Sequence, residues 1–509
     1  MTCSMKVFSC GLKLLRSRTP WACIGLCGPT PADYTPTYKT RLARFIRRLS
    51  VALPCCFLAA CAFHHYDAQP ISVQGIAHDL SSQSLSSPLL RDFIQAHARP
   101  VEPSWPPLKW NPDSLTLAAL FFNPDLQAAR AELVTTEGSQ ITAAQRPNPV
   151  LQFPLQWTMN PNAGESPWIL GFALDIPIET AGKRDYRVSA ASHRVSAARL
   201  QVANVAWGIR SRLREQLLIL WSASERTGLL QQQLELDQKL VAMLEKRLAA
   251  GYASTWEVNQ QRLSLIQDRH ALMTAQQEMT VARVRFATVL GVRVQALDGV
   301  KLDLSGFGEA VPELPGQEVR LQALMNRADV LQGLAQYEAS QAALQLEVAK
   351  QYPNLHLGPG YTFDQGARKL GFDFTGLELP VFNSNQGPIA EARGRRLEMA
   401  ARVKQLEAQA FADADGAVAA YNTSREMVLQ SKDQLTVHDR QLSFAQRALE
   451  LGQDDRLSLL LARKAGLAAR LAMVDAAFQM QQAVGKIEDA MQRPISDAHL
   501  LFPLSEAAK

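Results

Sequence analysis

The residue with the clearest chemistry in this sequence is a cysteine at the end of an apolar run near the N-terminus. Cys61 follows Leu58-Ala59-Ala60, and four arginines precede the apolar residues 49–60. This order is typical of a bacterial lipoprotein signal, because its peptidase admits small side chains and a thiol accepts diacylglycerol. The sequence therefore predicts a leader over residues 1–60 and lipid attachment at Cys61. An ordinary signal peptide with chance cysteines is the alternative. Residues 1–40 fit no leader pattern, and an over-long start assignment would explain them.

Beyond the leader, the sequence contains no recognisable catalytic, nucleotide-binding or metal-binding motif. All seven cysteines lie at or before residue 61, so the other 448 residues offer no CxxC zinc site and no catalytic thiol. The patterns HExxH, GxSxG and GxxxxGK are absent, as is GxGxxG after a strand. We therefore predict no enzymatic activity, no cofactor and no resident metal.

The charge balance argues against a nucleic acid partner. The chain has 53 Lys and Arg and 48 Asp and Glu, a net charge of +5. Residues 1–60 hold nine of the bases and one of the acids, which leaves 44 bases and 47 acids in the remainder. A basic surplus confined to a leader gives no surface for phosphates, so we predict no nucleic acid binding.

Long helices must position any functional surface in this chain. No proline occurs from 184 to 250, and apolar residues recur there at helical spacing, which predicts a rod of about 100 Å. A second helix, 256–290, returns beside it, and a second pair follows at 388–451 and 457–491. Gly251 and Gly452, each followed by polar residues, predict two tight hairpin tips. A plain coiled-coil stalk would show the same pattern.

The chain after the leader contains an internal repeat, two copies of one unit. Asn123-Pro124-Asp125-Leu126 matches Arg327-Ala328-Asp329-Val330 at an offset of 204, and Gly251 matches Gly452 at an offset of 201. A period this long indicates a duplicated half rather than a solenoid.

Each half also contains two candidate strands of about ten residues. The first half offers 150–159 and 168–177, and the second offers 355–363 and 370–375. Large apolar residues alternate with small or polar ones, as in strands that separate lipid from water. A half-buried sheet in a soluble domain is the alternative. Four strands cannot close a barrel, so membrane strands would need two further copies of the chain, about twelve strands in all.

The sequence resembles the TolC-type outer-membrane efflux factor family over about 110–492, and most closely its heavy-metal resistance-nodulation-division branch. The matching stretches are Asn123–Leu133, Ala144–Pro149, Leu174–Pro177, Gly251–Leu263, Tyr352–Phe363 and Leu379–Ala392. The resemblance implies a mostly α chain with a membrane β-barrel contribution, assembled as a trimeric channel-tunnel of long antiparallel helical hairpins and four strands per chain. It also implies a homotrimer, a periplasmic adaptor protein, an inner-membrane resistance-nodulation-division pump and outer membrane lipid as partners.

The same resemblance assigns roles to residues at the hairpin tips. It implies a periplasmic gate at Gly251, Gly452, Asp454 and Asp455. Two solvated turn residues are the alternative for the aspartates. It implies adaptor docking at Arg262, Leu263, Ser264, Arg456, Leu457 and Ser458, although the first triplet lies further from its tip than the second.

These observations give a domain plan and a function. The plan is a leader (1–60), a lipid-anchored extended tether (61–112), two repeats (113–310 and 311–492) and a C-terminal tail (493–509). The predicted function is a passive exit duct for metal cations or small toxic compounds. A structural coiled-coil lipoprotein without a pore and a lipid-anchored periplasmic enzyme are the alternatives.

Overall fold

Two antiparallel helical hairpins dominate the computed structural model, which describes residues 65–97, 104–308, 316–374 and 378–495. The first hairpin joins α5 (Lys183–Ala249) to α6 (Thr255–Leu290), and the second joins α9 (Gln386–Glu450) to α10 (Arg456–Met491). The 67 residues of α5 extend over about 100 Å. These bounds lie within two residues of the predicted ones.

Shorter helices complete the α-helical part. They are α1 (Val73–Ser82), α2 (Pro88–His97), α3 (Pro112–Phe122), α4 (Pro124–Ala144), α7 (Gly316–Asn326) and α8 (Ala328–Ala349). α5 packs against α4, α6, α8 and α10. Near the start of α5, Arg199 bonds to α4; further along, Gln233 bonds to α6, and Asp237 bonds to α10. A core that includes Leu115, Leu126, Leu213 and Leu290 joins the helices of the first half, and Tyr421 and Ile487 lie in a second core.

One antiparallel sheet contains β1 (Val150–Gln152), β2 (Leu155–Trp157), β3 (Trp168–Ile178), β4 (Leu355–Asp364) and β5 (Ala367–Phe374). β1 and β2 both pair with β3, which pairs with β4, and β4 pairs with β5. Among the described residues, no further strand pairs with the outer edge of β1 and β2 or with that of β5.

The single strand predicted over 150–159 is wrong in one respect, because it is divided into β1 and β2. Pro154 lies between the two pieces and has no N–H to donate to the ladder. Its carbonyl still accepts a hydrogen bond from the N–H of Gly171, at 3.0 Å. The two pieces therefore occupy one strand position, and the sheet has four positions.

The predicted alternation separates the two faces of the sheet. Leu170 pairs with Phe363, and Tyr361 pairs with Leu370, so the large side chains share one face. Leu370 and Phe372 on this face are 83% and 82% exposed. The opposite face presents small and polar residues at the intervening positions: Gly171, Ala173, Asp175, His356, Gly358, Gly360, Thr362, Lys369 and Gly371.

The extended tether predicted over 61–112 is wrong for two segments, which form α1 and α2. Ser72 caps α1 by accepting a hydrogen bond from the N–H of Gly75 at 3.0 Å. Leu90 and Ile94 lie four residues apart on α2 and pack into the first core, which gives this helix its stability. The leader, Cys61 and tail residues 496–509 lie outside the described residues.

No α-helix of the described ranges is both long enough and apolar enough to cross a membrane.

Candidate functional site

The two hairpin tips have the same backbone design. Gly251, two residues after the end of α5, has a φ of +77°, and Gly452, two residues after the end of α9, has a φ of +68°. At the first tip the N–H of Tyr252 donates to the carbonyl of Arg247 at 2.8 Å. At the second, the N–H of Gln453 donates to the carbonyl of Ala448, also at 2.8 Å. Glycine is favoured at both tips because this closing turn needs a left-handed residue.

The next helix starts with a polar cap in both cases. Ser254 accepts from the N–H of Glu257 at 3.2 Å, and the Glu257 carboxylate accepts from the N–H of Ser254 at 2.6 Å. These hydrogen bonds hold the pKa of Glu257 below its ordinary value. Asp455 caps α10 by accepting from the N–H of Ser458 at 2.9 Å. The offset of 201 therefore relates turn to turn and cap to cap.

An ion pair links the two tips of one chain. Arg247 in the last turn of α5 donates to Asp455 at 2.5 Å. The hydrogen bond from Arg247 is the largest cause of a lowered pKa for Asp455, and the hydrogen bond from Ser458 adds to it. Asp455 thus has a cation partner within its own chain. The neighbouring Asp454 is exposed and accepts a hydrogen bond from the N–H of Asp455 at 2.7 Å.

The residues of the two triplets predicted to dock the adaptor differ in their surroundings. Arg262 lies on the flank of the first hairpin, where it pairs with Glu245 at 2.6 Å. Leu263 is half exposed, whereas the Ser264 hydroxyl bonds to Asp237 and Lys464. Ser264 is therefore engaged within the chain, and its docking role stays an untested prediction.

The second triplet begins immediately after its tip. Arg456 is exposed at the start of α10, Ser458 lies in its first turn, and Leu457 packs against the leucine cluster described below. The tip residues at the equivalent positions of the first hairpin are Thr255, Trp256 and Glu257. Trp256 is 69% exposed, and Tyr252 beside it is 84% exposed. These two exposed aromatic side chains at the first tip are candidate contact residues that the sequence interpretation missed.

A leucine cluster joins the hairpins behind the tips. Leu236 and Leu240 of α5 pack with Leu460 of α10. Beside them, Lys464 of α10 pairs with Asp237 of α5 at 2.7 Å. The sequence held a signal for this contact, because Asp237 interrupts the apolar stripe of α5 between Leu234 and Val241.

A further polar network links the two hairpins nearer the sheet. Arg210 and Arg214 of α5 pair with the buried Glu488 of α10 at 3.1 and 3.3 Å. Burial raises the pKa of Asp489, although Ser211 donates to its carboxylate at 2.7 Å. Together with the tip contacts, this network fixes α10 along α5 at three levels. In the described residues no cluster of three or more Cys, His, Asp or Glu side chains could hold a metal.

The sequence is similar to a known protein family and to named relatives. The model of the outer membrane efflux protein family matches residues 117–292 and 319–491, more than half of the chain. The cobalt-zinc-cadmium resistance protein CzcC of Cupriavidus metallidurans is 28% identical over 280 residues, covering 55% of this chain and 65% of that protein. The match thus spans slightly less than two thirds of CzcC. The pyoverdine export outer membrane protein OpmQ of Pseudomonas aeruginosa is 23% identical over 410 residues, covering 73% of this chain and 84% of OpmQ.

Solved structures share the fold. The outer membrane protein VceC of Vibrio cholerae has a TM-score of 0.61 and 19% identity, covering 75% of this chain and 96% of VceC. The channel-forming protein CusC has a TM-score of 0.59 and 18% identity, covering 75% of this chain and 92% of CusC. These likenesses confirm the predicted fold class, and the family match confirms the predicted resemblance. The chain belongs to the outer membrane efflux protein family.

Proposed function

We propose that this chain is the outer-membrane exit duct of a tripartite efflux system and works as a homotrimer. The observation that carries the proposal is the two-faced sheet. One face presents exposed large apolar side chains, the other presents small and polar ones, and both edges are unpaired among the described residues. Leaving one such side chain in water instead of an apolar environment costs about 1.5–3 kcal/mol. The apolar face is therefore suited to contact with lipid.

Closure of the wall requires other copies. An open strand edge cannot face lipid, because its N–H and C=O groups have no partner there. Three copies with four strand positions each supply about twelve, a number that leaves space inside for water and solutes. The helical hairpins then continue the tube into the periplasm, with the Gly251 and Gly452 tips at its far end.

The remaining partners and the cargo belong to the same proposal. The exposed tip residues Tyr252 and Trp256 are available to a periplasmic adaptor, and an inner-membrane resistance-nodulation-division pump would supply the energy. Lipid on Cys61 would anchor each chain to the outer membrane. The CzcC relative favours metal cations as cargo, whereas the OpmQ relative favours small organic compounds. A chain of this design has no catalytic role in the transport step.

A matched pair of charge insertions tests the duct. Leu370 and Gly371 are neighbours on β5 whose side-chain positions lie on opposite faces of the sheet. Leu370→Arg places a charge on the apolar face, which costs about 2–4 kcal/mol at the middle of a bilayer. Gly371→Arg places the same charge on the polar face, where water is available.

We expect the parent protein, extracted in detergent, to run as a trimer and to conduct ions in planar bilayers. Leu370→Arg should reduce the amount of membrane-assembled trimer, and Gly371→Arg should assemble and change only ion selectivity. Equal assembly of both variants, or a parent that never conducts, would contradict the duct and favour the stalk without a pore.

A further inference from the structure

A small polar cluster lies between the two hairpins, about 20 Å from the first tip, because a helix rises about 1.5 Å per residue. It consists of residues from three helices: Gln233 and Asp237 on α5, Ser264 and Asp268 on α6, and Lys464 on α10. Asp237 is fully buried, and Asp268 is nearly so. The leucine cluster of Leu236, Leu240 and Leu460 lies next to it on the side of the tips.

Lys464 is the centre of the cluster. Its ammonium group donates to Asp237 Oδ2 and to the Ser264 hydroxyl, both at 2.7 Å. The same ammonium lies 3.8 Å from Asp268 Oδ2, too far for a hydrogen bond. Gln233 donates to the other oxygen of Asp268 at 2.8 Å. One cation from α10 thus serves two carboxylates of the first hairpin.

The cluster is one positive charge short. Two ionised carboxylates and one ammonium give a net charge of −1 in a buried site. Two of the carboxylate oxygens, Oδ1 of Asp237 and Oδ2 of Asp268, accept no hydrogen bond from any described residue. A buried carboxylate oxygen without a donor is costly, and an uncompensated buried charge is more so.

One proton removes both deficits. A protonated carboxyl carries an O–H that can donate to the other carboxylate, and the charge of the cluster becomes zero. Burial is the largest cause of a raised pKa for Asp268, and the neighbouring Asp237 carboxylate raises that pKa further. Several charged groups close to the cluster in sequence or across the helices line a surface groove: Glu235 and Lys239 on α5, Asp439 on α9, and Arg463 and Arg470 on α10. Arg269, which follows Asp268 on α6, is exposed.

We propose that Asp237 and Asp268 share one proton, and that this shared proton makes the cluster a pH-sensitive latch between α10 and the first hairpin. The latch is complete when the proton is bound. As the pH rises through the raised pKa of Asp268, the proton leaves and the buried site gains a net negative charge. Burying that charge is costly, so the contact between α10 and the first hairpin weakens. Its effect on the aperture of the duct rests on the proposed function, whereas the proton and the helix contact do not.

Infrared spectroscopy of the detergent-extracted protein detects the proton directly. We expect a band from a protonated carboxyl that persists above about pH 3.9, where an ordinary aspartate ionises. The band should be missing from Asp268→Asn and retained in Glu235→Gln, a matched loss of one exposed acid on α5. Lys464→Gln should move the band's midpoint to higher pH, because the removed cation favours the ionised pair. A band that titrates near pH 3.9, or that survives in Asp268→Asn, overturns the shared proton.

Cysteine alkylation measures the latch. The chain beyond residue 61 has no cysteine, so Leu460→Cys reports access to the leucine cluster and Tyr252→Cys provides an exposed reference. We expect the ratio of their alkylation rates to rise several-fold from pH 5 to pH 8. In the Asp268→Asn background the amide can donate permanently to Asp237, and the ratio should stay flat. A flat ratio in the parent, with the infrared band present, overturns the latch. Neither readout needs ion conduction, so failure of the latch and failure of the duct are distinguishable.

Discussion

The Arg247–Asp455 contact gives a quantitative prediction about the hairpin tips. Asp455 does two things at once, because one oxygen caps α10 and the other accepts from Arg247. Asp455→Asn keeps a side chain that caps a helix equally well and removes only the ion pair. Asp455→Ala removes both. The two variants therefore separate the link between the tips from the local stability of α10.

The free energy that the Arg247–Asp455 ion pair contributes follows from the exposure of its two side chains. The Arg247 and Asp455 side chains are 32% and 47% exposed, so the pair belongs with partly screened surface pairs worth about 0.5–1 kcal/mol. Three copies opening together would lose about 1.5–3 kcal/mol, which is on the order of 10- to 100-fold in the open-to-closed ratio. Loss of the cap adds about 1 kcal/mol per chain to the cost for Asp455→Ala.

The assay is the open probability of single channels in planar bilayers at neutral pH. Asp455→Asn and Arg247→Gln should raise it equally, and the double variant should raise it no further, because both remove one interaction. Glu245→Gln is the matched control, since it breaks the Arg262 pair inside the first hairpin and leaves the tips linked. If Asp455→Asn matched the parent, or if Glu245→Gln opened the channel as much, the reasoning would be refuted.

The pH dependence of this pair has a defined sign. Arg247 holds the pKa of Asp455 below its usual range in the folded protein. The ion pair therefore contributes fully above the unfolded pKa of about 3.9 and is lost as the pH falls through the lower folded value. Acid below about pH 4 should release the tips. The latch at Asp268 responds in the opposite direction, so the two contacts are separable by titration.

Three further predictions concern single positions. Cys61→Ala should abolish metabolic labelling with lipid, and retained labelling would exclude this residue as the attachment site. Asp454→Asn should weaken block by multivalent cations added from the periplasmic side, since a ring of exposed Asp454 carboxylates would attract them; unchanged block would leave these aspartates as solvated turn residues. Trp256→Ala should weaken adaptor binding at least tenfold in a pull-down titration with purified adaptor, whereas Arg262→Ala, on the flank of the hairpin, should change it less than threefold. The reverse order would favour the triplet at 262–264.

The helical part of the fold was predictable from local rules. A stretch of 67 residues without proline and with apolar residues at helical spacing predicts one helix, and the left-handed φ of Gly251 explains why glycine stands at the turn that follows it. The alternation over 168–177 likewise predicted which side chains share a face. Periodicity along the chain was sufficient in both cases because neighbours in sequence determine these features.

Features that depend on contacts between distant segments were not predictable. The sequence offset places Gly251 opposite Gly452, yet it does not pair Arg247 with Asp455, since that contact depends on how the hairpins pack. Helix α2 was missed because its two core contacts, Leu90 and Ile94, lie within a segment rich in serine and proline. The division of the first strand at Pro154 required only its missing N–H, and a stricter application of that rule would have predicted it.

Inter-chain crosslinking of the sheet edges tests most directly whether neighbouring copies complete the wall. Phe153, between β1 and β2, and Leu370 and Phe372, on β5, lie near the two unpaired edges of the sheet. We predict that Phe153→Cys combined with Leu370→Cys or Phe372→Cys yields, on oxidation in the membrane, a covalent trimer on a denaturing gel. Each single-cysteine variant should stay a monomer. If no pair of edge positions crosslinks one chain to another, while the protein is folded in the membrane, the closed wall of three copies is contradicted.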